Sequence, residues 1–82
     1  MKSVDKLNQL EKELDYFDYL VSAQKEPNTG IIQNIEHRIK TTKNILKKTD
    51  STDVKTTRRA ARILEKFEML KKRYYLMNPS KI

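Results

Sequence analysis

Residues 53–77 read DVKTTRRAARILEKFEMLKKRYYLM, and this stretch decides the fold. Its apolar residues recur at intervals of three and four, which is the period of one face of an α-helix. They are Ala60, Ile63, Leu64, Phe67, Leu70, Tyr74 and Met77. Asn78-Pro79 stops the helix, because the residue before a proline is biased away from helical backbone angles. The stretch therefore predicts a long amphipathic helix whose apolar face must be covered by other helices.

Two further segments with the same period lie upstream. In the first, predicted over residues 3–25 with Ser3 as its N-cap, the apolar residues are Leu7, Leu10, Leu14, Phe17 and Val21. In the second, predicted over residues 30–48, one face carries Ile32, Ile35, Ile39, Thr42 and Leu46. Residues 26–30 (EPNTG) and 49–53 (TDSTD) separate the three helices. Short links favour antiparallel neighbours, so we predict an all-α fold, an antiparallel up-down-up three-helix bundle. The alternative is an open hairpin whose third helix docks on another chain.

Composition limits both the size of the protein and its chemistry. With 82 residues, 37% of them hydrophobic, the chain is expected to form one small helical domain over residues 1–82, with a loose C-terminal tail at 78–82. It contains no cysteine, which leaves neither a disulfide nor a thiolate metal site. We expect no signal peptide, because residues 1–5 contain no apolar run, and no membrane span, because no apolar run is long enough for one. We therefore expect an intracellular protein, cytoplasmic or, in a host cell, nuclear. Small size with many lysines and isoleucines is typical of accessory proteins from phages, viruses or other compact genomes.

Charge is divided unevenly along the chain. Residues 1–30 carry four Lys against six Asp and Glu, a net charge of −2. Residues 31–82 carry fourteen Lys and Arg against five Asp and Glu, a net charge of +9. The whole chain has a net charge of +7 and an isoelectric point near 9.7. Such asymmetry indicates an acidic partner, such as nucleic acid.

Two lines of basic residues lie beside the apolar faces when the helices are drawn at about 100° per residue. On the third helix the line consists of Lys55, Arg59, Arg62, Lys66 and Arg73, and Arg58 lies at the edge of this line. On the second helix a similar line, which starts beside Glu36, consists of Lys40, Lys43 and Lys47. If the two lines frame one positive surface, it would bind nucleic acid or an acidic protein surface. The alternative is that acids of the first helix pair with these bases and use part of the charge internally.

A second apolar strip runs along the C-terminal half of the first helix, away from the face that the core requires. This aromatic strip consists of Tyr16, Tyr19, Leu20 and Ala23. Tyrosine is frequent in protein interfaces because it combines apolar area with a polar group. The strip predicts an interface with a protein partner or with a second copy of the chain through the first helix. The alternative is that Tyr16 and Leu20 pack against the third helix.

Catalysis, metals and cofactors are not expected. The single histidine, His37, lies off the apolar face of the second helix and has no second His or Cys with which to bind zinc. The single glycine, Gly30, cannot supply a Gly-rich phosphate loop. The sequence therefore predicts a non-catalytic binding protein whose basic second and third helices contact nucleic acid or a nucleoprotein complex. The alternative is a protein-interaction module (an adaptor, inhibitor or assembly subunit) that docks through the aromatic strip.

Overall fold

A computed structural model describes residues 2–25 and 28–77, which form three α-helices. The helices are α1 (Lys2–Ala23), α2 (Thr29–Lys48) and α3 (Val54–Met77). Each helix contacts the other two, which confirms the all-α three-helix bundle and excludes the open hairpin. The tail predicted at residues 78–82 lies outside the described residues.

Ion pairs and short links set the directions of the helices. α1 and α3 run the same way, because Glu11 pairs with Arg59 and, further along both helices, Asp18 pairs with Arg73. The links between consecutive helices are five residues each, at 24–28 and 49–53. Such short links make consecutive helices antiparallel, so α2 runs opposite to both α1 and α3. The order is therefore up-down-up, as the sequence predicts.

The hydrophobic core lies on the axis between the three helices. Its buried side chains are Leu7, Leu10, Phe17, Val21, Ile31, Ile32, Ile35, Ile39, Ile45, Ala60, Ile63, Phe67, Leu70 and Tyr74. Leu14, Leu46 and Leu64, which the sequence places on core faces, are only partly buried and pack on its edge. Met77, also assigned to the core, is 44% exposed. The buried set includes Ile31 and Ile45, so the core face of α2 is wider towards α1 than the periodicity suggested.

Side-chain hydrogen bonds begin α2 and α3. Oδ1 of Asn28 accepts a bond from the backbone N–H of Gly30 at 2.9 Å, which caps α2. Oδ1 of Asp53 accepts one from the backbone N–H of Thr56 at 3.2 Å, directly before α3. α1 begins at Lys2, so the prediction that Ser3 is its N-cap is wrong. The helix also ends at residue 23, two residues earlier than predicted.

Candidate functional site

The basic line of α3 faces α1. Nη2 of Arg59 donates to Oε1 of Glu11 at 2.6 Å, and Nη2 of Arg73 donates to Oδ1 of Asp18. The bond from Arg59 lowers the pKa of the Glu11 carboxyl. These two arginines, expected to contact a partner, are therefore engaged within the chain. For Arg59 and Arg73, the alternative drawn from the sequence therefore holds: acids of the first helix pair with these bases.

The basic line of α2 lies on the other flank of α3. Glu36, at the start of that line, pairs with Lys71 of α3, with Nζ and Oε2 3.3 Å apart. Lys71 and Arg73 are two positions apart, which turns them about 160° from each other around the helix axis. The same flank of α2 as Glu36 carries Lys40, Lys43 and Lys47. The two lines thus lie on opposite sides of the outer face of α3, and their use as one positive surface stays a prediction.

Most basic residues of α2 and α3 are exposed and take part in no ion pair among the described residues. These unpaired cations are Lys40, Lys43, Lys47, Lys48, Lys55, Arg58, Arg62, Lys66 and Lys72. On the same helices, Glu65 and Glu68 are the acids without an ion pair in the described structure. Lys48 and Lys72 were missed from sequence because they lie off both basic lines. The positive charge of this half of the chain is therefore largely not neutralised by the fold.

A half-buried ion pair joins α1 to α2. Nε and Nη2 of Arg38 donate to the two carboxylate oxygens of Glu13 at 3.0 and 3.2 Å. The guanidinium carbon lies 5.4 Å from the centre of the Phe17 ring. Partial burial acts to raise the pKa of Glu13, but the hydrogen bonds from Arg38 and Gln9 prevail and lower it. Glu13 lies 25 residues from Arg38 in the sequence, so sequence reasoning could not identify this pair.

The aromatic strip is open to solvent beside the start of α2. Tyr16 is 59% exposed and Tyr19 is 68% exposed, Ala23 is exposed, and Leu20 is half-buried against the core. The Tyr16 ring meets the edge of Phe17, with centroids 5.5 Å apart. Two shallow clefts, both lined by Leu20, run from this strip to the first turn of α2. Tyr16 and Leu20 therefore lie beside α2, and the alternative that they pack against α3 is wrong.

A groove of about 550 Å³ runs between α1 and α3. Acidic Asp15 from α1 and basic Lys66 from α3 line it, together with the partly buried Leu14. Met69 and Leu76 of α3 stand on its rim and are 64% and 72% exposed. Sequence reasoning missed this groove, although two large apolar residues off the core face of α3 were a signal for it.

Residues 2–25 and 28–77 contain neither a cluster of metal ligands nor a helix that could span a membrane. No group of three His, Cys, Asp or Glu side chains there is arranged to hold a metal ion. His37 is exposed on α2. None of the described helices combines the length and the apolar character that crossing a bilayer requires.

Comparison with known proteins adds no family to these observations. No protein-family model matches the chain, and no curated protein or solved structure is significantly similar to it. Its function is therefore inferred from the charge and geometry of the described residues.

Proposed function

We propose that this chain is a non-catalytic helical binding protein that contacts nucleic acid, alone or in a nucleoprotein complex, through the unpaired cations of α2 and α3. The observation that supports this most strongly is that these side chains stay exposed and unpaired after the ion pairs between helices have formed. Lysine and arginine bind polyanions by displacing condensed counterions, which gives sequence-independent and salt-sensitive affinity. The contacts are expected with phosphates and not with base edges.

The line on α2 is the most regular part of this surface. Lys40, Lys43 and Lys47 are all exposed, and their spacing places them on successive turns of one flank. The seven positions that they span correspond to about 10 Å along the helix, so one phosphate backbone running beside α2 would meet all three. Among the described residues of α2, the only acid is Glu36, and it is already paired with Lys71.

Arginines of α3 divide into two groups under this proposal. Arg58 and Arg62 are exposed and unpaired, so their guanidinium groups are free to bind phosphate oxygens bidentately. Arg59 and Arg73 each hydrogen-bond a carboxylate of α1, and their contribution is to hold α1 against α3. The proposed contact surface is therefore smaller than the full basic line of α3.

Fluorescence anisotropy with a labelled DNA duplex and a matched RNA tests the proposal at about 50 mM salt. The test variant, Lys40→Gln with Lys43→Gln and Lys47→Gln, removes three charges from α2. The matched control, Lys6→Gln with Lys12→Gln and Lys25→Gln, removes three charges from exposed lysines at or just after α1. We expect a loss of affinity of about tenfold or more in the test variant and about threefold or less in the control. Equal losses would overturn the assignment to α2, and no binding by the unaltered chain would overturn the function.

A protein-interaction module is a second candidate, supported by the exposure of Tyr16 and Tyr19. Tyrosines on an exposed helix face beside shallow clefts suit an adaptor, inhibitor or assembly subunit. Affinity for a partner that survives high salt but is lost with Tyr19→Ala would favour this candidate. An affinity for the partner that falls steeply as the salt concentration rises, and that Tyr19→Ala leaves unchanged, would favour nucleic acid.

A further inference from the structure

The groove between α1 and α3 contains exposed apolar side chains, which phosphate binding by the neighbouring Lys66 and Lys72 would not use. Met69 and Leu76 on its rim are 64% and 72% exposed, and Leu14 adds a partly buried apolar side chain. Contiguous exposed apolar patches mark places where another surface binds. Met69 and Leu76 lie two turns apart on the rim, with Leu14 across the groove. The core does not need them, because the core face of α3 is already filled by Ile63 and Phe67.

The two walls of the groove carry opposite charge. α1 contributes Asp15 and Asp18, and α3 contributes Lys66, Lys72 and Arg73. Asp18 and Arg73 pair with each other across the groove. Asp15 and Lys66 make no ion pair within the described structure, and in sequence both lie between the two ion pairs that bridge α1 and α3, at one end of the groove.

We propose that this groove binds a second copy of the chain, in a two-fold symmetric dimer whose axis runs along the groove. This rotation places α1 of each copy opposite α3 of the other, so each acidic wall faces a basic wall. Asp15 then meets Lys66 of the partner subunit, in two symmetry-related pairs, and the exposed methionines and leucines of both rims are covered. A two-fold axis across the groove would instead set α1 on α1 and α3 on α3, with like charges together. The charge pattern thus selects one of the two arrangements.

The size of the face fits a dimer interface. α1 has 22 residues and α3 has 24, which makes them about 33 to 36 Å long. The groove occupies only residues 14–18 of α1 and 66–76 of α3, and an interface over the full length of both helices, about 10 Å apart, would cover on the order of 700 Å², near the about 800 Å² per partner of a standard interface. The charge of +7 on each copy opposes association over longer distances. The dimer is therefore expected to be weak, with a Kd in the micromolar range. The inference does not depend on nucleic-acid binding.

Sedimentation equilibrium of the full chain, from about 5 to about 200 µM at about 150 mM salt, tests the dimer. We expect the mass to rise with concentration from 9.8 kDa towards twice that value. Asp15→Lys alone, or Lys66→Asp alone, sets like charges together and should weaken association by about tenfold or more. An equimolar mixture of the two variants should associate again, because both pairs then join opposite charges. Lys40→Asp, the same change outside the groove, is the control for altered net charge.

Three results would overturn the proposal. The first is a chain that stays monomeric throughout this concentration range. The second is a dimer that Asp15→Lys and Lys66→Asp do not weaken more than Lys40→Asp does. The third is a mixture of the two variants that fails to associate although each retains the helical content of the unaltered chain by circular dichroism.

Discussion

At Arg38, three interactions converge on one guanidinium group. Two of its nitrogens bind the carboxylate of Glu13, a third donates to Oδ1 of Asn34 at 3.3 Å, and its plane lies near the Phe17 ring. Both members of the ion pair are 23% exposed, so solvent screens them less than the other ion pairs between helices. Bidentate, partly buried pairs are the ones that contribute measurably to stability.

Arg38→Lys is therefore expected to lower the free energy of unfolding by about 1 to 2 kcal/mol. A lysine has a single nitrogen, so it cannot make the two hydrogen bonds from Nε and Nη2 to Glu13, and it lacks the planar group that lies over Phe17. Urea denaturation followed by circular dichroism measures the change. Arg59→Lys, at a more exposed pair, is the matched control and should change stability little. Equal destabilisation by the two variants would contradict the special role of Arg38.

The lowered pKa of Glu13 gives the bundle a defined response to acid. The hydrogen bonds from Arg38 and Gln9 stabilise the charged carboxylate in the folded state. Their contribution is complete above the ordinary glutamate pKa and is lost as the pH falls through the lower folded value. Urea midpoints measured between about pH 6 and about pH 3 should fall more steeply for the unaltered chain than for Glu13→Gln. If the urea midpoints of the two chains fall equally with pH, the Glu13 carboxylate is not the source of the acid sensitivity.

At the scale of the helix, periodicity predicts faces but not neighbours. The step of three and four identifies the core face of α3, and Ile63 is buried there as expected. An up-down-up bundle can turn in either direction, which places α1 on one flank of α3 or on the other without changing that periodicity. The pairs Arg59–Glu11 and Lys71–Glu36 show which flank each neighbour covers. This is why the composition of each basic line was predictable and the relation between the two lines was not.

The caps of α2 and α3 are also element-scale features, and one of them offers a matched test. Asn28→Ala removes the acceptor for the N–H of Gly30 and should lower the free energy of unfolding by about 1 kcal/mol. Asn44→Ala, at an exposed position inside the same helix, should cause no loss, because alanine is the better helix former there. Thermal unfolding of the two variants measures both effects. A larger loss from Asn44→Ala than from Asn28→Ala would contradict the assignment of the cap.

Across the whole molecule, the acids of α1 neutralise part of the positive charge of α2 and α3. Three of its acids, Glu11, Glu13 and Asp18, bind arginines of α2 and α3. The unpaired cations of those helices stay exposed and give most of the net charge of +7. That unneutralised charge destabilises the folded chain by self-repulsion and attracts polyanions. A nucleic acid bound to α2 and α3 would relieve the repulsion.

The salt dependence of nucleic-acid binding tests this central claim most directly. Fluorescence anisotropy of the unaltered chain with a labelled DNA duplex measures Kd at several salt concentrations from about 50 to about 200 mM. If six or more of the unpaired cations contact phosphates, affinity should fall on the order of a thousandfold across this range. Absence of binding at the lowest salt concentration, or an affinity that does not change with salt, would contradict the claim.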